Sequence, residues 1–178
     1  KYGVTTNNLL GVTLVMMDGE IVHIGGAHLD AAGLDLLGVI CGSEGQLGVV
    51  TEATLRILPK PEGARPILMG FDSNEVAGAC VSDIIKAGIL PVAIEFMDRP
   101  CIRATDDFCG AGYPDVEALL IVEVEGSEQE IADMLARMTK IAEKHNPAEL
   151  RVSKSDEESA KIWAGRKAAF GATGKINH

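Results

Sequence analysis

The chain has 178 residues, of which 47% are hydrophobic and 24% are charged. Its 26 Asp and Glu residues outnumber its 16 Lys and Arg residues, which gives a formal net charge of −10. This balance argues against a nucleic-acid-binding protein, because such a protein needs a basic surface to replace the counterions on phosphates. No apolar run approaches the roughly 18 residues of a membrane-spanning helix, so the sequence predicts a globular protein without a transmembrane segment.

The cysteines are irregularly spaced, at Cys41, Cys80, Cys101 and Cys109. They include no Cys-x-x-Cys pair and no matching histidine pair, which predicts neither a zinc site nor a disulfide framework. Reduced thiols are typical of the cytoplasm, where we expect this protein to reside. The N-terminal residues include neither an initiator methionine nor the apolar core of a signal peptide, so we expect the chain to be a fragment of a longer protein.

Short β-prone runs dominate the N-terminal part of the chain. Residues 11–24 consist of two such runs joined by Asp18-Gly19, which predicts a hairpin because both turn positions tolerate positive φ. Residues 34–41 predict a helical turn, and the β-branched run 49–58 predicts a strand that ends at two closely spaced prolines, since proline cannot donate to a sheet. A domain boundary near residues 59–65 follows.

Strands and helices are predicted in a recognisable order beyond this boundary. The runs that predict strands are residues 67–71, 91–97, 117–125 and 149–152. Helical spacing predicts a helix that is capped by Asp72 or Ser73 and runs to Gly88, and a short helix over residues 99–110. Two further helices begin with the capping boxes Ser127/Glu130 and Ser155/Glu158. Apart from the short helix and the last helix, the order is strand, helix, strand, strand, helix, strand, which indicates a ferredoxin-like α+β domain.

The segment Gly42-Ser43-Glu44-Gly45-Gln46-Leu47-Gly48 carries regularly spaced glycines between the predicted helical turn and the next strand. Glycines there let backbone N–H groups approach an anion closely, but they are also typical of a purely structural turn. The segment is neither a P-loop, which ends in Gly-Lys-Ser/Thr, nor a Rossmann fingerprint, which follows a strand and opens a helix. The spacing alone leaves both interpretations open.

A longer stretch carries a resemblance to a known family. Residues 42–56, followed by Pro59-Lys60-Pro61, resemble the signature of FAD-linked oxidases of the vanillyl-alcohol oxidase type, in the branch that includes the flavin subunit of glycolate oxidase and D-lactate dehydrogenases. The start of the chain and its predicted hairpin are similar to the stretch that precedes this signature, so the resemblance covers most of the chain. One departure is Gln46, where the family usually carries threonine.

The resemblance implies an α+β fold and an FAD cofactor. Residues 1–62 would be the C-terminal portion of a PCMH-type FAD-binding domain, and residues 63–178 a ferredoxin-like cap, or substrate, domain that is truncated at its C-terminus. The residues implied to lie along FAD, largely through main-chain groups, are Gly42, Glu44, Gly45, Gln46, Leu47, Gly48, Val49 and Val50.

The resemblance also implies substrate-binding residues near the C-terminus. Arg166 would pair with the carboxylate of a 2-hydroxy acid, to which a guanidinium fork is suited, and Lys175 is a second candidate. The alternative for Arg166 is a solvated position at a helix C-terminus, where basic residues are favoured. We expect the adjacent carboxylates of Asp106 and Asp107 to be merely solvated.

No metal site and no catalytic residue is predicted within the chain. The four histidines, His23, His28, His145 and His178, show no i, i+4 pairing that would indicate a metal site. In the family, by resemblance, a metal and a catalytic histidine are supplied further downstream.

The implied function is oxidation of a small 2-hydroxy acid, of the glycolate or D-lactate type, by hydride transfer to flavin. We expect the fragment alone to be inactive, the whole protein to pass electrons to an iron–sulfur or other electron-transfer subunit, and self-association into a homo-oligomer. Two alternatives remain: a flavoenzyme like alkyl-dihydroxyacetone-phosphate synthase, and a non-catalytic ferredoxin-like module for regulation or assembly, since fold alone does not fix function.

Overall fold

A computed structural model describes residues 2–28 and 33–174 of the chain. The backbone divides into two compact units, Tyr2–Lys60 and the residues from Pro61 onward. None of the helices in the described residues combines the length and the hydropathy that a membrane crossing requires.

The first unit is built on an antiparallel sheet with the strand order β2-β1-β3. Its elements are a 3-10 turn (Thr5–Asn8), β1 (Leu9–Val15), β2 (Ile21–Gly25), α1 (Leu36–Ile40) and β3 (Val49–Leu55). The predicted hairpin is confirmed: Val15 pairs with Ile21, and Gly19 in the turn has φ +85°. The predicted helical turn is confirmed as α1, whereas β3 ends at Leu55, before the residue at which the prolines predicted its end.

The second unit contains an antiparallel sheet with the strand order β5-β6-β4-β7. Its elements are β4 (Gly63–Phe71), α2 (Asn74–Lys86), β5 (Ala93–Asp98), α3 (Arg99–Cys109), β6 (Ala118–Gly126), α4 (Glu128–Glu143), β7 (Glu149–Val152) and α5 (Asp156–Thr173). The predicted α+β order is therefore confirmed, with α3 inserted between β5 and β6 and α5 added after β7.

Helices cover both faces of this second sheet. On one face, Ile67 and Met69 of β4 pack in a core with residues of α2 and α4, and on the other face Leu68 packs with Ile102 of α3 and Ile162 of α5. Residues 118–122 of β6 are all fully buried. This explains why that run is continuously apolar instead of alternating, since a strand covered on both faces has no solvent side.

The two predicted capping boxes have different outcomes. Ser127 and Glu130 form the reciprocal pair at the start of α4. At the start of α5, Ser155 accepts the amide of Glu158, but the Glu158 carboxylate accepts the amide of Lys154 and not that of Ser155. The second box is thus replaced by a cap that reaches one residue further back along the chain.

Candidate cofactor loop and substrate arginine

The glycine-rich loop is a tight turn followed by a short link to β3. The amide of Gln46 donates to the carbonyl of Ser43 (3.0 Å), and the two residues between them have positive φ, +52° at Glu44 and +78° at Gly45. Positive φ at both central positions is the pattern of a type I′ turn. A glycine suits the second of these positions because the left-handed region costs it no steric energy.

Gly48 packs closely against β1 at the end of the loop. A Cβ atom at this position would lie 2.9 Å from the carbonyl oxygen of Val15 and from Cγ of Leu14, and φ is +148°. Gly42 and Gly45 differ, because a Cβ at either one would meet no atom within 4 Å. The last glycine is therefore required for contact with β1, and the first two are required for backbone conformation alone.

The exposed side of the loop offers unpaired donors and apolar side chains. Within the described part of the chain, the amides of Glu44, Gly45 and Leu47 donate no hydrogen bond. Val49 and Val50, which begin β3, are 65% and 46% exposed. Backbone donors beside apolar side chains fit a planar ring that carries carbonyl acceptors, while the Glu44 carboxylate disfavours a phosphate at the same place. The arrangement fits the ring end of a flavin better than its pyrophosphate.

Arg166 lies on α5 in the second unit and is tied to the sheet through one nitrogen. Its Nε donates to Oε2 of Glu95 on β5 at 2.7 Å, and the two side chains are 39% and 31% exposed. Its two terminal nitrogens have no partner among the described residues. These nitrogens present the parallel donors that bind a carboxylate in bidentate fashion. Because α5 continues to Thr173, Arg166 is not in the last turn, so the position at a helix C-terminus considered from the sequence is wrong, although the side chain is partly exposed to solvent.

Tyr113 is a buried contact of Arg166 that sequence reasoning missed. Its hydroxyl donates to the carbonyl of Ile162 (2.5 Å) and accepts the backbone amide of Arg166 (2.9 Å). Burial is the main cause that raises the pKa of the Tyr113 phenol to about 12. The signal in the sequence was Gly165, a glycine inside a helix, which usually marks a close approach. A Cβ there would lie 2.5 Å from Cε2 and Cζ of Tyr113.

Asp106 and Glu123 are two further carboxylates with defined partners. Asp106 is in α3, and its Oδ1 accepts the amides of Gly112 (2.7 Å) and Tyr113 (3.4 Å). The expectation that it is merely solvated is therefore wrong. Glu123 of β6 accepts the indole N–H of Trp163 on α5 at 2.7 Å. Acidic residues inside apolar strands were the available signal for both Glu95 and Glu123.

The remaining candidates lie elsewhere. Lys175 and His178 are outside the described residues. His145 bonds Asp83 at 3.0 Å, and this bond is the main cause that lowers the pKa of Asp83 below its usual value. His23 bonds the hydroxyl of Thr13 on the neighbouring strand. In residues 2–28 and 33–174, no group of His, Cys, Asp and Glu side chains is arranged to hold a metal ion.

Comparison with known families gives a match to the model described as FAD linked oxidases, C-terminal domain, over residues 60–178. The chain belongs to the FAD-linked oxidase family. The resemblance in the sequence is confirmed, because the chain is 46% identical over 178 residues to the glycolate oxidase subunit GlcD of Escherichia coli K12, covering 99% of this chain and 36% of that protein. It is 33% identical to GlcD of Bacillus subtilis, covering 99% of this chain and 38% of the relative. The chain therefore spans little more than a third of the relatives that it matches.

Other relatives agree with this assignment. A probable mitochondrial D-lactate dehydrogenase of Danio rerio is 30% identical, covering 96% of this chain and 35% of that protein. Among solved structures, an alkyldihydroxyacetonephosphate synthase has a TM-score of 0.70 at 18% identity, covering 97% of this chain and 33% of that one. A p-cresol methylhydroxylase with substrate bound has a TM-score of 0.69 at 13% identity, covering 96% and 41%. These two likenesses show the fold, and they confirm the predicted fold class.

Proposed function

We propose that the protein to which this chain belongs is an FAD-dependent oxidoreductase that oxidises a small 2-hydroxy acid, of the glycolate or D-lactate type, by hydride transfer to flavin. The observation that carries this proposal is the 46% identity to a glycolate oxidase subunit over 99% of the chain. The unpaired terminal nitrogens of Arg166 support it, since they suit the carboxylate that every such substrate carries.

The first unit would contribute to cofactor binding. We assign main-chain contacts with FAD to the eight residues Gly42, Glu44, Gly45, Gln46, Leu47, Gly48, Val49 and Val50. When bound, FAD supplies the hydride acceptor. This chain would hold one side of the cofactor: the free amides would donate to acceptors on it, and one of the exposed valines that begin β3 would cover it from water.

The second unit would bind the substrate. Arg166 holds the carboxylate with its terminal nitrogens, and Glu95 fixes the guanidinium from behind through Nε. Fixing the carboxylate restricts where the α-carbon can lie, which lowers the entropy cost of bringing it to a hydride acceptor. Lys175 is a second proposed contact for the carboxylate. We assign no catalytic base to the described residues.

The same proposal covers the domains, the partner, the location and the oligomeric state of the protein. Residues 1–62 would belong to a PCMH-type flavin domain and residues 63–178 to a cap domain, and the chain alone would be inactive. The word "subunit" in the name of the relative supports a partner protein, for which an iron–sulfur or other electron-transfer subunit is our expectation. Four free cysteines support a cytoplasmic location. Self-association into a homo-oligomer stays a prediction.

An anaerobic absorbance spectrum of the full-length protein tests the function. We expect the flavin band to bleach on addition of glycolate or D-lactate, with D-2-hydroxyglutarate as a third substrate to compare. A protein that stays colourless after FAD is supplied would contradict the proposal and favour the non-catalytic module. A bound flavin that none of the three acids bleaches would instead favour the synthase-like alternative, which at present has only a likeness of fold.

A further inference from the structure

Tyr113 occupies an unusual place in the backbone of α5. In a regular helix the amide of residue 166 donates to the carbonyl of residue 162, four positions earlier. Here the Tyr113 hydroxyl contacts both atoms, because it accepts from the amide of Arg166 (2.9 Å) and donates to the carbonyl of Ile162 (2.5 Å). The hydroxyl therefore bonds the backbone of α5 at the residue that carries the guanidinium.

Gly165 makes room for the phenol of Tyr113 against α5. A Cβ atom at position 165 would overlap the phenol ring of Tyr113, and the position is buried. A glycine inside a helix costs about 1 kcal/mol relative to alanine. The contact with Tyr113 is the structural reason for a glycine at this place.

Tyr113 is itself fixed from both sides. Its backbone amide and that of Gly112 donate to Oδ1 of Asp106. Its ring lies in the core with Leu68 and Ile102, and the residue is 8% exposed. The hydroxyl therefore has a defined position relative to the sheet, and it transmits that position to the backbone of α5.

We propose that Tyr113 is a positioning residue for Arg166: its hydroxyl fixes the backbone at Arg166, Glu95 holds Nε, and together they turn the two terminal nitrogens toward a carboxylate ligand. This inference rests on the proposed function, in which that ligand is the substrate. It assigns to Tyr113 no contact with the substrate itself.

The test uses the full-length holoenzyme with Tyr113→Phe, which keeps the ring and removes the hydroxyl. We expect KM for the 2-hydroxy acid to rise by about 3- to 10-fold, the effect of weakening one hydrogen bond between a misaligned Arg166 and the carboxylate. We expect kcat to change less than about 2-fold because the flavin chemistry is untouched. The matched control is Thr173→Ala, which removes another hydroxyl that bonds carbonyls of α5. We expect this control to leave KM unchanged.

A double substitution separates positioning from a general effect on the fold. Arg166→Lys alone should raise KM by more than 10-fold, because a point charge replaces a bidentate fork. Adding Tyr113→Phe to Arg166→Lys should then raise KM less than about 2-fold further, because Tyr113 acts only through Arg166. If Tyr113→Phe does not yield folded protein, Asp106→Ala provides the test, since it releases the Tyr113 amide and keeps the hydroxyl. We expect Asp106→Ala, like Tyr113→Phe, to raise KM in the wild-type background and to leave KM nearly unchanged in the Arg166→Lys background.

The outcomes distinguish the inference from the function that it rests on. A Tyr113→Phe enzyme with a lowered melting temperature but an unchanged KM would overturn positioning and leave the proposed function intact. An Arg166→Lys enzyme with an unchanged KM would overturn the substrate role of Arg166, and the positioning inference with it. Equal effects of Tyr113→Phe in both backgrounds would show that the hydroxyl acts independently of Arg166, which would also overturn the inference.

Discussion

The contact between α5 and Tyr113 makes Gly165→Ala a sharp test of the second unit. A Cβ at position 165 would lie 2.5 Å from two ring carbons of Tyr113, about 1 Å closer than ordinary van der Waals contact. The ring cannot simply move aside, because it is packed in a core with Leu68 and Ile102. Forcing an extra carbon into such a core costs roughly 1–3 kcal/mol.

Two effects of opposite sign determine how Gly165→Ala changes the free energy of unfolding. Alanine is favoured over glycine inside a helix by about 1 kcal/mol, which offsets part of the overpacking cost. We therefore expect Gly165→Ala to lower the free energy of unfolding by up to about 2 kcal/mol. Gly78→Ala in α2 is the matched control, because a Cβ there meets no atom within 4 Å. It should raise the free energy of unfolding by about 0.5–1 kcal/mol.

The assay is urea unfolding followed by tryptophan fluorescence. Trp163 is the single tryptophan of the chain and lies on α5 near the substituted residue, so the signal reports this unit. If Gly165→Ala proved as stabilising as Gly78→Ala, the close packing of Tyr113 against α5 would be refuted.

Three further predictions concern charge, titration and the loop. Glu95→Gln removes the negative charge 2.7 Å from Nε of Arg166, which repels a dianion more than a monoanion. KM for D-2-hydroxyglutarate should therefore fall about 3- to 5-fold relative to KM for D-lactate; an unchanged ratio would mean that the second carboxylate of D-2-hydroxyglutarate binds away from this pair. Because the pKa of Tyr113 is raised to about 12 from an ordinary value of 10.0, its contribution to stability is present below pH 10 and is lost as the pH rises toward 12. Absorbance titration near 295 nm should resolve this late phenol, and its loss in Tyr113→Phe checks the assignment. Gly48→Ala places Cβ against the Val15 carbonyl, so the full-length protein should purify with less flavin per chain; a full complement of FAD would mean that the loop does not position the cofactor.

Local patterns were sufficient to predict nearly every element, because caps, prolines and apolar periodicity act within a few residues of one another. The start of β4 is an instructive exception. The strand begins at Gly63 and includes Pro66, although the sequence predicted its start at residue 67. The carbonyl of Pro66 accepts from the amide of Ser153, so it points to the β7 side of β4. The nitrogen of the same residue points to that side too, just beyond the last β4–β7 pair of Ile67 and Val152. No hydrogen bond to β6 is lost, and the proline is tolerated.

The candidate site likewise combines features set by local sequence with contacts set by the tertiary structure. The sequence by itself determined the family, the glycine-rich loop and Arg166 as a candidate, because these depend on residue types at fixed local spacing. Only the tertiary structure decided that α3 and α5 cover the second face of the sheet, that Glu95 and Tyr113 contact the arginine, and that Asp106 holds the backbone at Tyr113. Tyr113 and Arg166 are 53 residues apart, and Glu95 and Arg166 are 71 apart. Contacts over such separations are set by which strands pair and which helix covers them, and no local pattern encodes that choice.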